Sequence, residues 1–286
     1  MNQRIKILTD STADLSKDVL EKRDIDVISL HVEFGDESYL DGKTITTPQL
    51  YQKVEEKQRL PKTAAISPGE FMTCFESYLK DDFDVIYISL GSKISSTYQS
   101  AVIAKDALAS NKIHLIDSKN LSSGIALLVL KACDLRDEGK DAITIKDEIE
   151  KLVPRVRSQF AIKTLDYLHK GGRASGTAKL IGTMIKLKPI IKVRDGILDV
   201  YKKPVGKMSR ALDVMLKDFY TEVDKHNVDL NYVMITHSIA DRSFKYMKDK
   251  VFAHCKPKQL MESHAGCVIS SHCGQGTIGI LYIVNA

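Results

Sequence analysis

Between Val85 and Ala101 the chain reads VIYISLGSKISSTYQSA. The apolar, β-branched run Val85–Leu90 predicts a buried strand, and Ala101, Ala104 and Leu108 recur near the helical period beyond it. Four hydroxyl residues lie between the two: Ser92, Ser95, Ser96 and Thr97. A strand that delivers hydroxyls to a helix start suits an anionic head group. The hydroxyls donate hydrogen bonds, the free N–H groups of the first turn donate more, and the helix dipole favours negative charge. Helix capping is the competing explanation for each hydroxyl taken singly. Two further strand candidates end in the same kind of residue, in Thr9-Asp10-Ser11 and in Asp117-Ser118. Carboxyl ends of strands line the ligand crevice of open α/β sheets, which predicts a shared polar rim. Local side-chain turns account for each of these ends by itself.

The other chemistry-bearing residues divide into plain and suggestive cases. His31, His114, His226 and His254 fall in strand or helix contexts and read as surface or core residues without polar company. His237, in Thr236-His237-Ser238, follows a strand candidate. His272 lies in Ser270-Ser271-His272-Cys273-Gly274-Gln275-Gly276-Thr277, which reads as a small-residue loop before a final strand. His272 suits a hydrogen bond to a carboxylate or the role of phosphoryl acceptor, with a turn residue as an equal reading; His237 reads as a rim position and as an alternative phosphoryl acceptor. Cys267 and Cys273 stand near His264 and His272, but their spacing matches no metal-ligand pattern, and no metal is expected. The five cysteines form no CxxC pair, which argues against a disulfide framework. Neither GxGxxG nor GxxxxGK[ST] is present, which argues against a Rossmann dehydrogenase and a P-loop enzyme. GxSxG is missing too, so an α/β-hydrolase elbow is not indicated.

The elements that would position these residues follow from periodicity. Strands are expected at Ile5–Thr9, Ile25–Val32, Val85–Leu90 and Ile113–Ile116, and helices at 16–22, over Phe71–Leu79 and through Leu121–Glu138. Thr46/Gln49 and Ser67/Glu70 form capping boxes with Pro48 and Pro68 in the first turn. Gly35-Asp36 marks a short hairpin arm, and Leu60–Ile66 reads as a loop around Thr63. This strand–helix alternation predicts a mostly parallel sheet covered by helices. The texture changes at a helix ending near Pro154. Beyond it come strand candidates at Gln159–Lys163, Tyr232–Thr236 and Ile278–Val284 and a hairpin around Asp195-Gly196. Helices are expected over Ala178–Met184, Ser209–Val223 and Arg242–Phe252. The fold class expected is therefore α/β in two domains: an N-terminal α/β domain over 1–156 and a C-terminal α+β domain over 157–286.

A net charge of +5 spread over scattered lysines does not make the concentrated basic face that nucleic acid demands. It is compatible with transient contact with an anionic membrane surface. No signal-peptide pattern or membrane-length apolar run is seen, so a cytoplasmic setting is expected.

Several motifs in order along the chain resemble the DegV family, whose characterised members are the fatty-acid-binding subunits of bacterial fatty acid kinase. They are Thr9-Asp10-Ser11-Thr12-Ala13-Asp14-Leu15, Pro61-Lys62-Thr63, Ser95-Ser96-Thr97-Tyr98-Gln99-Ser100-Ala101 and Asp117-Ser118. Leu165-Asp166-Tyr167-Leu168 with Lys170-Gly171-Gly172-Arg173, then Lys188-Pro189-Ile190 and Gly274-Gln275-Gly276-Thr277-Ile278-Gly279, complete the set. The resemblance implies two α/β domains with a long-chain fatty acid held between them. It implies that the carboxylate meets Thr63 and Ser95, with His272 as third polar contact. It also implies a non-enzymatic carrier without cofactor that serves a separate fatty acid kinase catalytic subunit. Ala64, Ser96 and Gln275 depart from the family pattern without removing those hydroxyls. Pro204-Val205-Gly206-Lys207 replaces an expected basic run and bears on kinase docking. Two other readings stand beside the carrier: a phosphotransfer or small-molecule kinase component using His237 or His272, and a hydrolase using a Ser-rich loop.

Overall fold

β1 (Ile5–Asp10) is buried at every position, as is β6 (Asp84–Ser89). Such continuous burial is the mark of parallel strands covered on both faces. The computed structural model of the protein, which describes residues 4–173 and 187–285, places both at the centre of a parallel sheet ordered β2-β1-β6-β7. In chain order, a 3-10 turn (Ser11–Ala13) and α1 (Lys17–Lys22) follow β1, then β2 (Ile25–Ile28), β3 (His31–Phe34) and β4 (Glu37–Leu40). Next come α2 (Thr47–Lys57), β5 (Lys62–Ala64) and α3 (Pro68–Lys80) before β6, and α4 (Thr97–Leu108), β7 (Ile113–Asp117), α5 (Ser123–Asp137) and α6 (Ala142–Leu152) after it.

Two expectations are corrected here. The single strand expected over 25–32 divides at Ser29-Leu30. β2 stays in the parallel sheet, and β3 turns into a separate antiparallel sheet ordered β4-β3-β5. The expected loop around Thr63 is the strand β5, in which Thr63 pairs with Val32. Both capping boxes form: Gln49 accepts the Thr46 N–H at 2.9 Å, and Glu70 accepts the Ser67 N–H at 2.8 Å.

The C-terminal half holds β8 (Val156–Ala161), α7 (Asp166–Lys170), β9 (Ile190–Arg194), β10 (Ile197–Lys202), α8 (Met208–Asp224), β11 (Val228–His237), α9 (Asp241–His254), β12 (Gln259–His264), α10 (Cys267–Cys273) and β13 (Ile278–Val284). Its sheet is ordered β10-β9-β8-β13-β11-β12, antiparallel throughout except for β11 with β12. The mixed α/β architecture is the one expected. The Asp195-Gly196 turn has positive φ at both residues, as a tight hairpin requires. β12 was not expected. The segment read as a loop before the last strand is helical over its first part, as α10. The helix expected over Ala178–Met184 lies outside the described residues.

One face of this sheet packs under α8 and α9 around Met215, Phe219, Val233, Ile235, Met247 and Tyr282. The opposite face joins the core of the N-terminal half through α5. That helix is buried from Ser123 through Leu130, because a sheet lies on each side of it. Among the described residues, no helix is long and apolar enough to cross a membrane. Three of the four histidines expected without polar company are corrected as well. His31 meets Glu70 at 2.8 Å, His114 meets Asp84 at 3.2 Å and His254 meets Asp224 at 2.7 Å. Their carboxylate partners come from other elements, so no local pattern announces them.

Candidate ligand-binding site

A cavity of about 850 Å³, its open mouth included, lies where β5, the loop after β6, α10 and the inner face of the C-terminal sheet meet. Leu30, Leu90, Leu121, Phe160, Leu198 and Leu281 make much of the wall. All three residues singled out in the sequence line it: Thr63, Ser95 and His272.

β5 holds Thr63 at the edge of the small sheet, and α10 brings His272 to it across 209 residues. Thr63 Oγ1 and His272 Nε2 are 2.8 Å apart. Burial pushes the His272 imidazole down to about 4, and the nearby Arg173 charge adds to that, so the ring is neutral at pH 7. Its Nδ1 is buried without a hydrogen-bond partner among the described residues.

Ser95 does two things. Its Oγ accepts the Thr97 N–H at 3.2 Å and lies 2.9 Å from Thr97 Oγ1, which starts α4, while the residue also lines the cavity. Ser96 precedes the helix without a side-chain capping bond, and Ser92 turns away to Asp117, bonding through N at 3.0 Å and Oγ at 2.6 Å.

The shared polar rim expected from three strand ends does not form. Asp10 is internal, accepting Tyr87 Oη–H at 2.9 Å, the Leu90 N–H at 2.8 Å and the Thr12 N–H at 3.1 Å. Burial raises its pKa against those bonds. Asp117 is occupied by Ser92 and by the Lys119 N–H at 2.9 Å. Neither carboxylate lines the cavity.

Two residues that sequence reasoning did not assign to the site belong to it. Arg173 lines the mouth, held by a 2.6 Å bond to the Gly171 carbonyl. His237 also lines the cavity, yet both ring nitrogens are engaged: Nδ1 accepts the Ala240 N–H at 3.0 Å, and Nε2 meets Glu262 at 2.9 Å. The Lys170-Gly171-Gly172-Arg173 and Thr236-His237-Ser238 stretches were the available signals. His237, Glu262 and His264 are the one group among the described residues whose donor atoms converge as metal ligands would, within 4.8 Å. Because His237 Nδ1 accepts a backbone proton, Nε2 carries the ring proton, and a metal there would have to displace it.

A family model described as "Uncharacterised protein, DegV family" matches residues 4–285. The chain belongs to the DegV family. A DegV domain-containing protein of Clostridium acetobutylicum is 38% identical over 98% of this chain and 99% of its own length. Among solved structures, one described as fatty acid binding of a DegV family protein from Thermus thermophilus superposes with a TM-score of 0.91 at 27% identity, covering 99% of this chain and 100% of that one. DegV of Bacillus subtilis, described as a fatty acid binding protein, gives 0.86 at 27% identity over 99% and 100% of the two chains. A stearic acid-binding protein from Eubacterium ventriosum gives 0.87 at 26% identity over 98% of each. The DegV fold here places a largely apolar cavity with a small polar cluster where β5, the loop after β6 and α10 meet the inner face of the C-terminal sheet.

Proposed function

We propose that this protein binds a long-chain fatty acid in the cavity, with the carboxylate against Thr63, Ser95 and His272 and the acyl chain along the leucine-rich wall. The observation that carries the reading is a largely apolar cavity lined by Thr63, Ser95 and His272, with Thr63 Oγ1 and His272 Nε2 2.8 Å apart. DegV relatives described as fatty-acid-binding support it. About 15 methylenes at roughly 0.8 kcal/mol each give a gross gain of order 12 kcal/mol. Association costs offset a large part of that. The tail therefore supplies affinity, and the head site has only to keep a buried carboxylate hydrogen-bonded.

In this reading the protein is a carrier without catalytic residues or cofactor, working in the cytoplasm. It presents the carboxylate to a separate fatty acid kinase catalytic subunit, with transient membrane contact to load and unload. Thr63, Ser95 and the neutral His272 suit that task, since they hold the acid without a salt bridge, while Arg173 contributes a positive charge at the cavity lining. Phosphoryl transfer through His237 is disfavoured because neither nitrogen is free, and through His272 because Nδ1 is enclosed.

Native mass spectrometry of the protein purified from bacteria tests the carrier reading. A co-purified mass of a long-chain fatty acid is expected. An acid-labile phosphate adduct with no lipid, even after incubation with stearate or oleate, would overturn it. For the kinase step, the expected result is ATP-dependent acyl phosphate formation only when both proteins are present.

A further inference from the structure

Gly171 closes α7, and its φ of −74° is one that any residue adopts, so its backbone does not require a glycine. What excludes a side chain is His272: a Cβ on Gly171 would stand 2.2 Å from His272 Nδ1 and 3.0 Å from Cε1. The packing is reciprocal, because a Cβ on Gly274, just past α10, would meet the Tyr167 ring of α7 at 2.9 Å. Two glycines thus let α7 and α10 approach closely, and the first of them presses on His272 Nδ1, which has no hydrogen-bond partner among the described residues.

We propose that Gly171 is a positioning residue for the head-group site. Its bare Cα packs on Nδ1 and holds His272 as the Nε2–H tautomer, so that the ring donates to Thr63 and the Thr63 hydroxyl proton is directed to the ligand. A glycine hydrogen points along the direction a Cβ would take. A lone pair on Nδ1 accepts that weak Cα–H contact, whereas an N–H there would set two hydrogens against each other and be left without an acceptor. The neutral ring then has one donor, and Thr63 Oγ1 lies 2.8 Å from it. With its oxygen accepting from Nε2–H, Thr63 offers the ligand a proton. The site is thereby matched to an acceptor such as a carboxylate. The ligand's identity rests on the fatty-acid reading; the arrangement of protons does not.

Histidine-15N-labelled protein, read by long-range proton–nitrogen correlation at pH 7, tests this, with His272 assigned by the signal lost in His272→Gln. The Nε2–H tautomer is expected; an Nδ1–H tautomer or an imidazolium overturns the proposal. Gly171→Ala is expected to displace the ring, mix the tautomers and weaken oleate binding about tenfold, the worth of one hydrogen bond. Thr63→Val is expected to weaken oleate binding by a similar factor, and the double variant little further, because both act through one bond. Additive losses would mean that Gly171 merely packs, and would also overturn the proposal. Should Gly171→Ala fail to fold, the wild-type spectrum decides alone. A wild-type protein with the Nε2–H signal that takes up no oleate would sink the carrier reading and leave the proton assignment standing.

Discussion

Asp41 Oδ1 accepts the backbone N–H of Cys267 at 2.7 Å, joining residues 226 apart in the chain. Beside it, Asp14 Oδ1 accepts the Gly266 N–H at 2.8 Å, and Thr47 Oγ1 donates to the Ala265 carbonyl at 2.8 Å. These three bonds tie the start of α10 to the N-terminal half. That helix carries Val268, Ile269, His272 and Cys273 into the cavity wall. Burial raises the pKa of both aspartates.

Asp41→Ala removes the clasp and leaves the Cys267 N–H buried without its acceptor. The expected cost is about 2 kcal/mol, the scale of a hydrogen bond to a carboxylate, read from the urea midpoint. Oleate should dissociate several-fold faster, because α10 is held less firmly. Unchanged dissociation in a destabilised but folded variant would show that α10 does not govern release.

How much of this was legible beforehand differs residue by residue. Thr63 and Ser95 were named from short motifs. The strand holding Thr63 was not, because three-residue β5 owes its existence to β3, some thirty residues earlier. His272 was named and its helix missed. Seven residues of CVISSHC carry little intrinsic helix preference, and Asp14 and Asp41, distant in sequence, satisfy their first N–H groups. The parallel sheet was readable because its fully covered strands β1 and β6 carry short apolar runs between helices, with Ile5, Ile7 and Leu8 in one and Val85–Ile88 in the other. The burial of Asp10 was not, since its partners Tyr87 and Leu90 lie nearly eighty residues away.

The head-group donors give a direct prediction. Thr63→Ala with Ser95→Ala removes two hydroxyls from the site, each worth about 1 kcal/mol as a hydrogen bond. Affinity for oleate, measured by fluorescent-analogue displacement, should fall by between tenfold and a hundredfold. Ser95→Ala should also cost about 1 kcal/mol of stability, because Ser95 caps α4. If the double variant held oleate as tightly as wild type, the carboxylate would have to sit elsewhere in the cavity.

His272 predicts a pH dependence whose direction follows from its environment. The folded-state pKa, about 4, lies below the ordinary 6.5. The unfolded chain therefore binds a proton that the folded one refuses, and the contribution present above pH 6.5 is lost as pH falls towards 4. A shift of that size corresponds to about 3 kcal/mol. Asp10, Asp14 and Asp41, with raised folded pKa values, act in the opposite direction. The comparison is therefore wild type against His272→Gln, each unfolded in urea at pH 7 and at pH 5. Wild type should lose more stability between the two pH values than the variant does; equal losses would mean that the ring is already solvated.

Phe160 is the one phenylalanine, tyrosine or tryptophan among the described residues that line the cavity. It lies opposite Gly279 in the β8–β13 register, where a Cβ would come within 2.8 Å of the Gln159 carbonyl oxygen and 2.9 Å of the Phe160 Cβ. The missing side chain at 279 is what lets the phenylalanine lie back against β13. Phe160→Ala should cost about 3 kcal/mol in the unliganded protein, as large-to-small core changes do, and should lengthen the space open to an acyl chain. The lipids retained by the variant, read by mass spectrometry, should then shift to longer chains. Phe160→Trp should act the other way, filling more of the cavity and selecting shorter chains or none. A chain-length profile unmoved by either change would remove Phe160 from the wall that meets the ligand.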